Sequence, residues 1–473
     1  RDFCLSRGLG DVYKRQRYDR AMPLAVADFN RDGLLDIYVG FPGLADFTND
    51  LGSSRRPEGL LSQGMWMNRG AWQFEEVESG ATIPSENFAY PHAALASDIN
   101  GDGWADLIVV DDSWGSNQVY LNDGAGGFSN ATERAGMSAS NGWSMGLSTG
   151  DYNGDGHLDA IATQVTFTAG RRILESMGPG ELGPEYAEML TELGLSLRDG
   201  ATLYVNRGDG SFEINAASGL SNFGDGAGVA DWVDFNGDGH LDVYVPNGLW
   251  SAGDDTTLES YLFRSHLANM ERMVEDELDE YVFTPRQDTN PLLAGLRANA
   301  GLSLGGHERN RLFRNNGDGT FTEVGYLEGA DLVEDGYIVA SADLSGSGRQ
   351  DLVLRHTDPA PSNSYESITV LRNQRDDFNT LTVTARSASD TDAVGAVVTA
   401  RVGDRTLVRE IRSVNGAVQG EPVAHFGLAD GEGVTDLSIR WPNGEVESFG
   451  PVRAGRVALR QGEAMRSVAA VAP

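Results

Sequence analysis

Five segments of this chain space acidic and amide side chains so that their oxygens could close on one hard cation. They run Asp28-Phe-Asn30-Arg-Asp32-Gly33-Leu34-Leu-Asp36, Asp98-Ile-Asn100-Gly-Asp102-Gly103-Trp104-Ala-Asp106 and Asp151-Tyr-Asn153-Gly-Asp155-Gly156-His157-Leu-Asp159. Two more follow: Asp234-Phe-Asn236-Gly-Asp238-Gly239-His240-Leu-Asp242 and the degraded Asp343-Leu-Ser345-Gly-Ser347-Gly348-Arg349-Gln-Asp351. Side chains at positions 1, 3, 5 and 9 supply oxygens, the backbone carbonyl at position 7 adds another, and glycine at position 6 allows the sharp turn. Many oxygen ligands in flexible geometry suit Ca2+, so all of these positions are candidate calcium ligands. A metal-free Asp/Asn/Gly turn is the competing reading. It has most force in the fifth copy, where Ser345 and Ser347 replace two ligands.

The loops are not EF-hands, which need a bidentate Glu at position 12 and flanking helices. Position 12 here is Val39, Val109, Ala162 and Val245 in the four intact copies. Those residues lie in short apolar, β-branched runs, so each loop feeds a strand.

A second motif is interleaved with the first. Met67-Asn68-Arg-Gly70, Leu121-Asn122-Asp-Gly124, Val205-Asn206-Arg-Gly208 and Arg314-Asn315-Asn-Gly317 read as hairpin turns, and Leu371-Arg-Asn373 is a worn copy. From each hairpin Asn to the next loop Asp the distances are 30, 29, 28 and 28 residues. A fixed β period of this size implies a propeller or solenoid, since one unit alone cannot bury its faces. The expectation is an all-β calcium-loop propeller of seven blades, with six or eight as alternatives. All loops should lie on one side, and each constant unit should span parts of one blade.

From loop Asp to the following hairpin Asn the distances are 40, 24, 55, 81 and 30 residues, so insertions are confined to one connection. The long stretches 164–202 and 247–310 are the places where unmarked blades are expected. They also carry helical signals. Pro184, Tyr186, Met189, Leu190, Leu193 and Gly194 predict a helix over 184–194. Thr256 and Glu259 form a capping box before an apolar stripe from Leu258 to Tyr281, predicting a helix over 256–281.

The segmentation is then 20–376 for the propeller, 377–465 for a small C-terminal β-sandwich and 466–473 for a tail. In the sandwich, Leu381–Ala385 and Val397–Val402 alternate, and Pro442-Asn443-Gly444 turns a hairpin between Leu437–Trp441 and Val446–Phe449. Trp441 reads as a core anchor rather than a glycan platform. Residues 1–19 fit no repeat and read as foreign or disordered, with the native start and any signal peptide lost. The first blade is therefore expected to lack its outer strands.

Together these residues carry a resemblance. The calcium loops running into Asp-Leu/Ile-x-Val resemble FG-GAP/VCBS propeller repeats. The segments Val394-Gly-Ala396, His425-Phe-Gly427-Leu428 and Ile439-Arg-Trp441-Pro442-Asn443-Gly444 resemble the ASPIC/UnbV domain of cartilage-acidic-protein-like secreted proteins. The resemblance implies a secreted or surface protein of a mostly bacterial family that uses Ca2+, and it implies no particular ligand.

Composition agrees. With 36 basic against 70 acidic residues the net charge is −34, which argues against nucleic acid, whose phosphates need a basic face. The single cysteine, Cys4, excludes an intrachain disulfide, so metal must do any stapling. No apolar run reaches the length of a membrane span. Lysine occurs once against a large excess of arginine, which suits a GC-rich genome.

Catalytic strings are weak. Gly142-Trp-Ser144-Met-Gly146 spells a nucleophile elbow but runs into the loop at Asp151 instead of a helix. Two function classes remain. The first is a calcium-binding extracellular or cell-surface binding or adhesion protein, taking a protein or glycan ligand on the insertion face. The second is a calcium-dependent polysaccharide-active enzyme, a lyase or hydrolase, for which His92 and the Arg and Tyr residues of the insertions are the first candidates. The localisation expected for either is extracellular, cell-surface or periplasmic.

Overall fold

The computed structural model describes residues 23–41, 63–77, 83, 91–111, 117–137, 144–164, 200–220, 226–248, 308–356, 367–415 and 418–468. Among the described residues the structure is all-β apart from two single helical turns, α1 (Thr132–Ala135) and α2 (Gly325–Glu328), each closed by a left-handed glycine, Gly136 or Gly329.

Four antiparallel meanders of four strands come first. Blade one holds β1 (Leu24–Ala27), β2 (Asp36–Gly40), β3 (Gln63–Asn68) and β4 (Phe74–Val77). Blade two holds β5 (Pro91–Ser97), β6 (Asp106–Asp111), β7 (Gln118–Asn122) and β8 (Phe128–Asn130). Blade three holds β9 (Ser144–Gly150), β10 (Asp159–Gln164), β11 (Ala201–Asn206) and β12 (Phe212–Ile214). Blade four holds β13 (Asp231–Val233), β14 (Asp242–Val245), β15 (Arg311–Asn315) and β16 (Phe321–Glu323). Blade five has three strands, β17 (Gly336–Ala342), β18 (Asp351–His356) and β19 (Ser367–Leu371).

The first strands of successive blades pack side by side, β1 on β5, β5 on β9, β9 on β13 and β13 on β17. Burial on both faces explains their near-continuous apolar runs. In β6, Leu107 and Val109 join a core shared with blade one, while Ile108 and Val110 join a core shared with blade three. Strand alternation thus serves two inter-blade cores at once.

Among the described residues there are five blades, against the expected seven. The physical reason is the pairing. β10 pairs with β11 across the first long stretch, and β14 pairs with β15 across the second. Each stretch therefore leaves and re-enters a single sheet, and most of its own residues lie outside those described. The helices expected over 184–194 and 256–281 lie outside the described residues.

Two further expectations are corrected. The constant 28–30-residue unit does not lie within one blade: it runs from the third strand of one to the first strand of the next. Blade one is complete, because each blade opens on the strand before its loop and needs no preceding hairpin.

The C-terminal domain is a sandwich of two four-stranded sheets. Its strands are β20 (Phe378–Arg386), β21 (Val397–Val402), β22 (Arg405–Glu410), β23 (Val414–Asn415), β24 (Val418–Gln419), β25 (Val423–Ala429), β26 (Val434–Arg440), β27 (Val446–Val452), β28 (Gly455–Arg460) and β29 (Arg466–Val468). Sheet order is β25-β20-β28-β29 over β22-β21-β26-β27, with β23-β24 a separate hairpin. Trp441, fully buried, sits in the core with Leu381, Phe426 and Leu437, as the anchor reading expects. β29 pairs with β28, so the sheet runs three residues past the expected end at 465.

Candidate metal centres on the loop face

The five loops join the first and second strands of each blade, and the Asn-x-Gly turns join the third and fourth. In an antiparallel meander these lie on one edge, so loops and turns share a face, opposite the insertions. The loops close by the same bonds each time. Position 6 donates its amide to the first carboxylate, Gly33 to Asp28 Oδ2 at 2.8 Å and Gly103 to Asp98 Oδ2 at 3.0 Å. Gly156 and Gly239 repeat this at Asp151 and Asp234 (3.1 and 3.0 Å). The position 5 amide donates to the Asn at position 3, at Asn30, Asn100, Asn153 and Asn236. The amides of Leu34, Trp104, His157 and His240 donate to Asp32, Asp102, Asp155 and Asp238. Position 4 is left-handed in every copy; loops two to five use glycine there and loop one uses Arg31 at φ 56°.

Position 9 has a role that spacing alone does not show. Asp36 Oδ1 accepts the amide of Asn68 and Oδ2 that of Phe29. Asp106, Asp159 and Asp242 do the same with the Asn122–Ile99, Asn206–Tyr152 and Asn315–Phe235 amide pairs. This carboxylate therefore ties its loop to its own blade's hairpin, and each oxygen keeps a second lone pair for a cation.

The hairpin Asn in turn ties blade to blade. Asn122 Nδ2 donates to Phe29 O of the preceding loop at 2.9 Å, and Asn206 reaches Ile99 O at 2.8 Å. Asn315 reaches Tyr152 O and Asn373 reaches Phe235 O, both at 2.8 Å. The sequence pattern marks these residues only as turn formers. Their recurrence at a fixed distance from every loop is the signal that points to a larger role.

The donor set fits a hard cation. Each intact loop gathers three carboxylates, an amide oxygen and a carbonyl. Asp98 Oδ1 and Asp234 Oδ1 are buried without a hydrogen-bond partner, which a bound cation would satisfy. Among the described residues no three Asp, Glu, His or Cys side chains close into a cage by themselves. Asn30, Asn100, Asn153 and Asn236 and the position 7 carbonyls are the ligands that such a set leaves out. In loop five, Ser345 Oγ donates to Ser347 Oγ at 2.9 Å, a neutral pair in place of an amide–carboxylate pair.

Burial sets the electrostatics. It pushes Asp106 and Asp159 up to about 8 and Asp36 up to about 6, with backbone amides pulling back. Asp242 rises well above the ordinary carboxylate range for the same reason, and neighbouring Asp234 adds to it. Asp151 and Asp234 rise to about 6 by burial, opposed by the Arg409 guanidinium.

Arg409 belongs to the C-terminal domain, which sits on this face. Arg440 bonds Asp98 at 2.7 Å, and Arg456 bonds Asp343 at 2.9 Å. Arg409 donates to Gly239 O at 3.0 Å. In the His425-Phe-Gly-Leu segment, Phe426 and Leu428 are fully buried in the sandwich core. The alternate residues meet the propeller: His425 Nε2 lies 2.6 Å from Gly348 O, and Gly427 N donates to Asp234 Oδ2 at 2.9 Å. Ile439-Arg440-Trp441 alternates in the same way. The 405–419 region reaches the propeller's first strands. Glu410 accepts from Ser97, Arg412 donates to Thr149, Asn415 donates to Asp231, and the hairpin packs against β1 and β17. Sequence reasoning does not find these docking residues. The one signal for them is a polar or glycine residue between two core residues on one strand.

Ser144 opens β9, a strand, so the elbow string has no strand–turn–helix context. His92 is buried, held at 2.7 Å from Met145 O and 3.1 Å from Tyr337 Oη, and burial keeps its pKa low.

The comparisons with known proteins fit this arrangement. Residues 98–162 and 193–245 match the profile of FG-GAP-like repeats, and residues 386–465 match that of ASPIC and UnbV. The chain thus carries FG-GAP-like repeats and an ASPIC/UnbV domain. Over 458 residues it is 24% identical to cartilage acidic protein 1 of Xenopus tropicalis, covering 91% of this chain. It is 25% identical over 457 residues to the Homo sapiens protein, covering 92% of this chain. The chain spans less than two thirds of the length of these relatives, 63% and 62%. The crystal structure of Saccharomyces cerevisiae Sqt1 aligns over 93% of this chain and 87% of its own at 9% identity. Its TM-score of 0.35 is too low to carry any inference. No helix among the described residues is long and apolar enough to cross a membrane.

Proposed function

We propose that this chain is a calcium-stabilised extracellular protein that binds or adheres to a protein or glycan partner. The observation that carries the calcium reading is the repeated loop with its orphaned buried carboxylate oxygens, Asp98 Oδ1 and Asp234 Oδ1. Intact loops would hold Ca2+ through positions 1, 3, 5 and 9 and the position 7 carbonyl, with position 9 also bracing the hairpin. The ion supplies positive charge that the buried carboxylates lack. Likeness to cartilage acidic protein supports a secreted setting. The loop face is covered by the C-terminal domain, which leaves the insertion face for a partner.

Full-length protein with saturating calcium is expected to bind members of a glycan or matrix-protein array without depolymerising polysaccharide. Depolymerisation would contradict this reading and favour the enzyme. For the metal itself, Asp102→Ala is expected to lower the number of calcium ions bound per chain by one in equilibrium dialysis. An unchanged number would remove loop two from the set.

Calcium's effect depends on pH, with a definite sign. Asp36, Asp106 and Asp159 titrate at about 6 to 8 when folded, above the ordinary 3.8. Their contribution without metal is fully present below pH ~4 and lost as pH rises through the folded values of ~6 to 8. Calcium needs the ionised form, so its stabilisation grows over the same window. The calcium-induced rise in melting temperature is expected to be larger at pH 8 than at pH 5. A smaller rise at pH 8 would contradict the assignment of these carboxylates to the metal sites.

A further inference from the structure

The fifth loop differs from the others in its chemistry. It holds two carboxylates, Asp343 and Asp351, where each intact loop holds three. Asp343, whose side chain is 3% exposed, has both oxygens engaged. Oδ1 accepts from Ser347 N at 3.0 Å, and Oδ2 accepts from Gly348 N at 2.8 Å and from Arg456 Nη2 at 2.9 Å. In loops two and four the corresponding Oδ1 is unpartnered, while in loops one and three it accepts backbone amides as it does here. Asp351 Oδ2 is the one buried oxygen of loop five that stays unpaired. Arg456 comes from β28 in the C-terminal domain, and its other carboxylate neighbour is Glu421, 4.0 Å away.

From this we infer that Arg456 is the resident cation of the fifth loop, which is an interdomain clasp rather than a calcium site. The guanidinium balances the carboxylate charge and arrives on the other domain; Arg440 meets Asp98 of loop two in the same way, but there Asn100 and Asp102 keep the oxygen set that loop five has lost. Loss of Asn and Asp at positions 3 and 5 follows: with an arginine as cation, a cage of oxygens has no use, and the paired serines suffice to shape the turn. The inference deepens the calcium reading and rests on it only for the contrast with the intact loops.

The test uses the full chain with Asp343→Asn, Arg456→Gln and the double substitution, each assayed by equilibrium dialysis against calcium and by thermal melting in chelator. Asp343→Asn is expected to leave the number of bound calcium ions unchanged, as is Arg456→Gln. Either single substitution should lower the melting temperature by about 5 °C, since a buried carboxylate or its arginine loses its partner. The double substitution should lower it by clearly less than the sum of the two. Arg456→Lys, which keeps the charge, should recover part of the loss. Loss of one calcium ion in Asp343→Asn, gain of one in Arg456→Gln, or additive melting shifts would overturn the clasp. The coupling is read in chelator, so it decides the clasp whether or not the intact loops bind calcium.

Discussion

Replacing Gly427 with alanine is expected to destabilise the protein by about 2–4 kcal/mol and to loosen the C-terminal domain from the propeller. An added Cβ would lie inside contact distance of Asp234 Oδ2 and 2.6 Å from the Gly237 Cα. The second atom is backbone and cannot rotate away. Gly237 is itself left-handed, at φ 72°, and pressed against Phe378. Crowding of this kind costs roughly 1–3 kcal/mol. The bond from Gly427 N to Asp234 would be stretched as well, and bonds to charged groups contribute about 1.5–3 kcal/mol. Gly433→Ala is the control: nothing lies within 4 Å of its added Cβ, and it should be close to neutral. Denaturant unfolding in saturating calcium, with limited proteolysis of the domain junction, measures both effects. Equal stability of the two variants would contradict the docking described above.

The second large effect is expected at the hairpin asparagines. Asn315 is buried, and its Nδ2 donates to Tyr152 O at 2.8 Å and to Leu241 O at 3.1 Å. Its Oδ1 accepts from Gly317 N at 2.9 Å. Asn315→Ala leaves two carbonyls and an amide without partners, each orphan costing about 1–3 kcal/mol where buried. A loss of about 3 kcal/mol follows. Asn68, less buried, bonds Leu35 O of its own blade at 3.2 Å, so Asn68→Ala should cost about 1 kcal/mol. Urea unfolding of both variants checks the ranking. A larger loss at Asn68 would show that the bonds between blades are not what holds them.

These two residues mark what the sequence does and does not reveal. The Asp-x-Asn-x-Asp-Gly pattern and the strand after it are legible because side-chain chemistry and turn geometry are local. The sheet class and the buried Trp441 are legible for the same reason. The blade count is not. Whether an 81-residue stretch is a blade or an insertion depends on β14 pairing with β15, a contact between residues far apart in sequence. Docking is equally hidden, because Arg409, Arg440 and Arg456 look like ordinary surface arginines until the sandwich is placed over the loops. Asp36 reads as a ligand and serves first as a brace, since Asn68, 32 residues on, supplies the amide. The bacterial source implied by the family resemblance gains no support from the relatives, which are animal proteins.

Thermal melting of the full chain in excess chelator and in several millimolar calcium tests the central claim most directly. A ligand bound only by the folded state stabilises by RT ln(1 + [L]/Kd), about 2.7 kcal/mol per site at a hundredfold excess. Extracellular modules bind at around 0.1–1 mM, so each site contributes on the order of 1 kcal/mol at millimolar calcium. Intact loops in four separate blades then contribute about 4 kcal/mol together, and the melting temperature should rise by roughly 4–6 °C. Magnesium, which demands tighter octahedral geometry, should give much less. A higher melting temperature in calcium, lost on adding chelator and regained with fresh calcium, is the predicted result. Superimposed curves would mean that the loops are turns without metal.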